Sequence, residues 1–171
     1  GFPEHVRAFD DQIFQLLCAQ HGGEMAHVFG QSYHYRQHPA QDIKQGDARH
    51  FYSFNMFREV FLRAEAEAWP DLQPVMSALI NTLRWSHAGL PAELQQIYRE
   101  AAVGFLAMLA KAFGPGVLST AKLEHSGIEG LAFLVQRRLS QMADLPQGCG
   151  MLHMEDWRWQ PEFIEMMGAM R

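Results

Sequence analysis

The chain has 171 residues, of which 48% are hydrophobic and 19% are charged. This length corresponds to one domain of ordinary size, and the apolar content excludes a disordered chain. Fourteen lysines and arginines against nineteen acidic residues give a formal net charge of -5, which argues against nucleic acid as a partner of this surface. The two cysteines, Cys18 and Cys149, form neither a metal-binding clip nor a disulfide framework, so we expect a cytoplasmic protein.

The spacing of apolar residues predicts an all-α fold. These residues recur every three or four positions, and no alternating β-branched runs occur. We expect a single multi-helix bundle over residues 1–171, with no segment long and apolar enough to span a membrane. The first helix is predicted over residues 3–20 and ends at Gly22. Residues 30–47 are irregular, polar and aromatic, and form either a long loop or part of a site.

Prolines and glycines delimit the helices in the middle of the chain. A helix over residues 48–69 ends where a tryptophan precedes Pro70. Asp71 is expected to cap the next helix, which ends near Gly89. The most apolar helix, over residues 91–113, stops at a Gly-Pro-Gly sequence and should be buried on several sides.

The second half of the chain is predicted to continue with one long helix over residues 119–144. Ser126 and Gly130 lie four positions apart on it, so a partner helix could approach closely on that side. Trp157 and Trp159 precede a last predicted helix over residues 161–170.

Nine histidines make a metal site the first chemistry to consider. Glu24 and His27 have the spacing of half a di-iron carboxylate site, but the sequence holds no second copy of that motif. His34 and His38 are spaced for one helical face. Solvated loop histidines are the simpler interpretation, and a metal or haem site that uses this segment and His50 remains an alternative.

The aromatic content is the more informative feature. The chain has no GxSxG elbow, no glycine-rich phosphate loop and no paired acid/base carboxylates, so we predict no catalytic residue. Twelve phenylalanines, ten methionines and four tryptophans supply large, adaptable apolar side chains. The phenylalanine stripe over residues 51–61 is either simple core or one wall of an apolar pocket, capped by polar groups such as His27, Tyr33 or His50.

The chain also carries two motifs in a fixed order, GFLAMLAKAFGPG at residues 104–116 and GIEGLAFLVQRRL at residues 127–139. They resemble the C-terminal part of TetR-type transcriptional regulators, in which a helix ending in "aLLaRAfgpG" is followed by one carrying "lleGLalqxll". Residues 57–79 look like the middle of that domain, where a break separates two helices. Residues 2–17 are similar to the helix that follows the family's DNA-reading helix-turn-helix.

The resemblance implies a ligand-sensing, dimerising regulatory domain that is not an enzyme. The DNA-binding helix-turn-helix would precede Gly1, and DNA would be a partner only through that region. Helices over residues 93–113 and 119–144 would pair with their copies across a two-fold axis as a four-helix interface of a homodimer. The expected interface residues are Phe105, Leu123, Gly127, Gly130, Leu131 and Leu134.

A pocket between the earlier helices would hold a small apolar or aromatic effector, whose binding would shift the regulator between two states. The expected pocket residues are Phe14, His27, Tyr33, Phe54, Phe57, Phe61, Trp85 and Met108. No cofactor and no metal ligand is expected in this interpretation. A further alternative is a helical adaptor or chaperone-like module that binds a partner through Trp157, Trp159 and the methionine-rich tail.

Overall fold

The computed structural model describes residues 10–21, 46–145, 147–148 and 152. All regular elements within these ranges are helical, which confirms the all-α prediction. The α-helices are α1 (Asp10–His21), α2 (Tyr52–Ala66), α3 (Gln73–Gly89), α4 (Ala92–Phe113), α5 (Thr120–Glu124) and α6 (Leu131–Gln141), with short 3-10 turns at Ala48–Phe51 and Pro115–Val117. None of these helices is long and apolar enough to cross a membrane.

The chain enters α2 through the 3-10 turn, which lies close to the end of α3. The Asp47 carboxylate accepts a hydrogen bond from the backbone N–H of Arg49 over 2.9 Å and so begins the turn. A Cβ atom placed on Gly46 would lie 2.6 Å from the carbonyl oxygen of Gly89. Only glycine permits this approach, which holds His50 beside the last turns of α3.

A stripe of phenylalanines joins α2 to α4. Phe51, Phe54, Phe57 and Phe61 are fully buried at helical spacing. The Phe54 ring lies 5.5 Å from the Phe105 ring of α4, a distance typical of edge-to-face aromatic pairs. The core therefore forms between α2 and α4.

Helix α2 ends in a Schellman motif whose left-handed position holds alanine. The N–H of Ala68 donates to the carbonyl of Glu65, and the N–H of Trp69 donates to the carbonyl of Ala64. Ala68 has φ of 51°, in the region where a Cβ atom meets the following carbonyl. The tight end turns the chain towards α3, where Asp71 accepts a hydrogen bond from the N–H of Gln73 over 2.8 Å.

The prediction of one continuous helix over residues 119–144 is wrong. Helix α5 ends at Glu124, and α6 begins only at Leu131. Gly127 and Gly130 have φ of 69° and 68°, so the right-handed helical path is interrupted at both positions. The hydroxyl of Ser126 accepts a hydrogen bond from the N–H of Ile128 over 3.2 Å and stabilises this break.

The segment after α6 returns across the end of α4. The buried Lys111 ammonium donates to the carbonyls of Ala143 over 3.2 Å and Leu145 over 3.1 Å. Further on, Leu152 is fully buried in the core, and its carbonyl accepts a hydrogen bond from the guanidinium of Arg58. The described part of the tail thus packs on its own chain, while Trp157 and Trp159 lie outside the described residues.

Replacing Ala68 by glycine should stabilise the protein by about 1 kcal/mol, because glycine adopts the left-handed conformation without the Cβ clash. Urea unfolding followed by circular dichroism measures the change. The matched control is Ala66→Gly at the last residue of α2, where glycine should destabilise by about 1 kcal/mol. If both variants were stabilised, or both destabilised, the assignment of the helix end at Ala68 would be contradicted.

Replacing Lys111 by methionine should destabilise the protein by about 1.5–3 kcal/mol, because two carbonyls lose a charged donor that methionine cannot replace. The control is Lys122→Met, which removes an exposed hydrogen bond to Gln73 and a partly buried one to Ser77 and should cost less than about 1 kcal/mol. Equal losses in the two variants would show that the Lys111 contacts contribute no more than a surface contact.

Candidate functional site

Three hydroxyl groups meet inside the aromatic core, where α2, α3 and α4 come together. Ser53 of α2, Ser86 of α3 and Tyr98 of α4 are all fully buried, and we call them the serine–tyrosine cluster. The rings of Phe51 and Phe54 each lie with their centroids 5.0 Å from the Tyr98 ring. Polar groups in an apolar setting are the composition that small-molecule sites use.

The hydrogen bonds of the cluster leave one hydroxyl unsatisfied. Ser53 donates to the carbonyl of His50 over 2.8 Å, so its oxygen is free to accept from the Tyr98 hydroxyl at 3.2 Å. Within the described part of the chain, the Ser86 Oγ has no hydrogen bond of acceptable geometry. A buried hydroxyl in this state costs roughly 1–3 kcal/mol.

The cluster is electrically neutral. Burial raises the pKa of Tyr98 to about 12, because a phenolate there would lose its hydration. The nearby hydroxyls of Ser53 and Ser86 oppose this rise in pKa only in part. Tyr98 is therefore a hydrogen-bonding group at neutral pH and not a general base. The neighbouring His87 also tends to be neutral, because burial and then the charge of Arg99 lower its pKa.

His50 and Trp85 connect the cluster to the surface. The carbonyl of His50 accepts from Ser53, and its buried imidazole ring lies 5.3 Å from the Trp85 ring between centroids. The Trp85 side chain is 45% exposed although it is large and apolar. Trp85 immediately precedes Ser86 on α3, but side chains of consecutive helical residues do not face each other, so the exposed Trp85 ring and the buried Ser86 hydroxyl point in different directions.

The predicted pocket residues occupy three kinds of position. Phe54, Phe57, Phe61 and Met108 are buried in the core, and Trp85 is half-exposed. The structure brings Phe54 to the serine–tyrosine cluster but places Phe61 against Phe113, with ring centroids 5.5 Å apart. The side chain of Phe14, and all of His27 and Tyr33, lie outside the described residues.

Sequence reasoning did not identify Ser53, Ser86 or Tyr98 as site residues. The available signal was a hydroxyl on an otherwise apolar helix face at each of these positions. Such a signal is weak, because the three residues come from three helices and only the tertiary fold brings them together.

The predicted interface residues differ in how exposed they are in the single chain. Phe105, Leu123 and Leu131 are buried within the single chain, so their side chains present no exposed surface to a second copy. Leu134 is half-buried, and Gly127 and Gly130 are exposed. Both glycines belong to the break between α5 and α6 and not to a helix face as predicted.

Two open grooves lie along α6, and the one that α6 shares with α4 we call the α4–α6 face. The smaller groove, of about 240 Å³, is lined by Gln96, Arg99, Glu100, Val103, Gly104, Leu134 and Arg138. The larger, of about 520 Å³, lies outside the α4–α6 face: it follows the α5–α6 break, no residue of α4 lines it, and it is bordered by Phe133, whose side chain is 70% exposed. Apolar side chains thus lie among charges of both signs on the α4–α6 face.

The histidine-based metal hypothesis finds no support among the described residues. Glu24, His27, His34 and His38 all lie outside them. Over residues 10–21 and 46–145, no group of three or more histidine, cysteine, aspartate or glutamate side chains gathers as a potential metal site.

No protein-family model, curated protein or solved structure matches this chain. The geometry described above and the two motifs at residues 104–116 and 127–139 are therefore the basis for a functional proposal.

Raising the pH from about 10 to 12 should cost the protein about 2 kcal/mol of stability through Tyr98 alone. Its unfolded form releases a proton near pH 10, whereas the folded form keeps the proton up to a pKa of about 12. The native state then holds more protons than the unfolded state, so this contribution is full below pH 10 and falls as the pH rises.

Urea unfolding at pH 9 and pH 11.5 measures this loss in the wild type, in Tyr98→Phe and in the control Tyr52→Phe. The Tyr98→Phe variant should lose less free energy of unfolding between these two pH values than the other two proteins. It lacks the Tyr98 proton, whereas the wild type and Tyr52→Phe both keep it. The same loss in all three would contradict a buried, neutral Tyr98.

Proposed function

We propose that the chain is the effector-binding and dimerisation domain of a TetR-like transcriptional regulator. DNA contact would belong to a helix-turn-helix outside residues 1–171, since the net charge of -5 gives this part no electrostatic advantage at a phosphate backbone. The domain would hold a small apolar or aromatic effector and transmit its presence through the dimer.

The arrangement of α4 and α6 carries this proposal. The two TetR-like motifs lie on these helices, which pack against each other. Half of α4 is buried inside the chain, while the α4–α6 face leaves Val103 and Leu134 half-buried, and Phe133 is exposed at the neighbouring groove of the α5–α6 break. An apolar centre with a charged rim is the composition of a protein interface.

The charges on the α4–α6 face favour a second copy of this chain as the occupant. In a two-fold dimer the same patch meets itself, so a self-complementary patch needs both signs. Glu100 lies in the smaller groove with Arg99 and Arg138, which lets the acid of one copy face an arginine of the other. A partner that carries only one sign of charge would meet a like charge at this rim, either Glu100 or the two arginines.

Helix α4 gives a physical route from effector to dimer. Its first half holds Tyr98 in the serine–tyrosine cluster, and the same turns carry Gln96, Arg99 and Glu100 on the α4–α6 face. An effector that binds at the cluster in only one position of α4 would bias the spacing of the two copies.

Native mass spectrometry at micromolar concentration should find a dimer of the wild-type chain. Val103→Glu and Leu134→Glu should each give monomers, because a carboxylate would be buried at the interface without a partner. The control Gln136→Glu adds the same charge at an exposed position of α6 and should leave the dimer intact. Far-UV circular dichroism checks that each variant is folded.

A wild-type monomer would contradict the proposal. A dimer that survives both Val103→Glu and Leu134→Glu would show that the copies do not meet through the α4–α6 face.

A further inference from the structure

A third groove, which is polar, lies where the end of α3, the start of α4 and the α5–α6 break meet. It has a volume of about 240 Å³, and it is lined by His87, Ala92, Gln95, Gln96, Arg99 and Glu129. The groove adjoins the α4–α6 face, because Gln96 and Arg99 line both. It is separate from the serine–tyrosine cluster, whose hydroxyls do not line it.

The guanidinium of Arg99 is held in place without being neutralised. It donates to the Oε1 of Gln96 over 2.5 Å, and the Nε2 of Gln96 donates to Glu100 over 2.8 Å. Arg99 is half-buried, and it makes no ion pair with an acidic residue in the ranges that the structure describes. A guanidinium has five N–H donors in a planar fork, so Arg99 keeps donors that suit a carboxylate.

Glu129 brings the opposite charge to the same groove. It stands between the left-handed Gly127 and Gly130, where the chain lies against α3, since a Cβ atom on Gly127 would come within 3.4 Å of the Arg84 side chain. Glu129 is exposed, and among the described residues it forms no ion pair with Arg99 or with any other base. One groove thus carries two opposite charges that do not pair with each other.

The side chain of His87 adds a neutral hydrogen-bonding group to the groove. Burial and then the positive charge of Arg99 lower the pKa of His87, so its imidazole is uncharged at neutral pH. An uncharged imidazole donates from one ring nitrogen and accepts at the other. Arg99 and Glu129 therefore provide the charges that line this groove, one of each sign.

These two charges select a ligand by its own charges. A carboxylate alone is attracted by Arg99 and repelled by Glu129, and an ammonium alone meets the reverse, so the two effects oppose each other. A molecule that carries both groups is attracted at both ends. The groove volume of about 240 Å³ lies below the usual range of drug-sized pockets, so the ligand has few non-hydrogen atoms.

We propose that this groove binds a small zwitterion, which is a molecule with a carboxylate at one end and an ammonium group at the other. The carboxylate lies at Arg99 and the ammonium at Glu129, with His87 and Gln95 beside them as neutral hydrogen-bonding partners. This site is distinct from the effector site of the proposed function and goes beyond that function.

The zwitterion site does not depend on the dimer. All six lining residues belong to one chain, so a monomer and a dimer should both bind the ligand. In the proposed dimer Arg138 can serve as the base for Glu100, which leaves Arg99 to the groove. A loss of zwitterion binding would therefore leave the regulator proposal standing, and a monomeric protein would leave the zwitterion site standing.

Titration followed by NMR chemical-shift changes of the backbone amides tests the ligand class. The probes are glycine, β-alanine, 4-aminobutanoate and 6-aminohexanoate, which differ in the separation of their two charges. Butanoate and butylammonium are the controls with a single charge. We expect at least one zwitterion to bind with a Kd in the millimolar range and about tenfold more tightly than either control.

Variants of the two charged residues test their separate roles. Arg99→Gln and Glu129→Gln should each weaken binding of the best zwitterion about tenfold, because each removes one charge-assisted contact. Glu129→Gln should also strengthen the binding of butanoate, since the repelling carboxylate is gone, and Arg99→Gln should strengthen that of butylammonium. A residue with a merely structural role would not change the preference between these two controls.

Glu124→Gln and Arg137→Gln are the matched control variants. Each removes the same charge from an exposed residue that does not line the groove, so both should leave the affinities nearly unchanged. Far-UV circular dichroism checks that all four variants are folded.

The inference would be overturned if no zwitterion bound, or if a probe with a single charge bound as tightly as the best zwitterion. It would also be overturned if Glu124→Gln and Arg137→Gln weakened binding as much as Glu129→Gln and Arg99→Gln do, because binding would then follow the net charge of the protein and not this groove.

Discussion

The burial of α4 is the constraint on which the other elements depend. From Ala101 to Lys111 the described side chains are buried at every position except the half-buried Val103. A helix that is apolar on nearly all sides is stable in water only when other elements cover each side. The phenylalanines of α2, the inner faces of α3 and α6, and the returning segment after α6 supply this cover. The position of Lys111 at the end of that buried stretch explains why the returning segment presents carbonyl oxygens to it.

The same constraint accounts for the serine–tyrosine cluster. Where α4 passes between α2 and α3, its buried face includes Tyr98, and a buried phenol requires a hydrogen-bond partner. Ser53 provides one, and the pair then favours a single register of α4 against α2, because a slip would take the Tyr98 hydroxyl away from the Ser53 oxygen. Ser86 is the exception in an otherwise satisfied arrangement, and this gives it functional interest.

The sequence predicted those parts of the fold that depend on local signals. Helix α4 was expected over residues 91–113 and spans Ala92–Phe113, because Pro91 and Gly114 limit it on both sides. The prediction of one helix over residues 119–144 is wrong because the spacing of apolar residues does not reveal where the backbone turns left-handed. Glycine adopts both the right-handed and the left-handed conformation, so its presence does not decide between them. For the same reason Gly127 and Gly130 were placed on a helix face. The sequence did not predict the serine–tyrosine cluster, because its three hydroxyls lie on three different helices. No local sequence pattern shows that these helices bring the hydroxyls together.

The break at Gly127 and Gly130 has a mechanical consequence. A continuous helix over residues 119–144 would be a stiff rod, in which rotation of one end turns the other. Two left-handed residues interrupt the backbone hydrogen-bond ladder between Glu124 and Leu131, so no continuous helix backbone links α6 to α5. Helix α6 packs mainly on α4, whereas α5 is joined to α3 by the Lys122 hydrogen bonds to Gln73 and Ser77. The two short helices therefore contact different long helices, and a rotation of one is not imposed on the other by a shared helix axis.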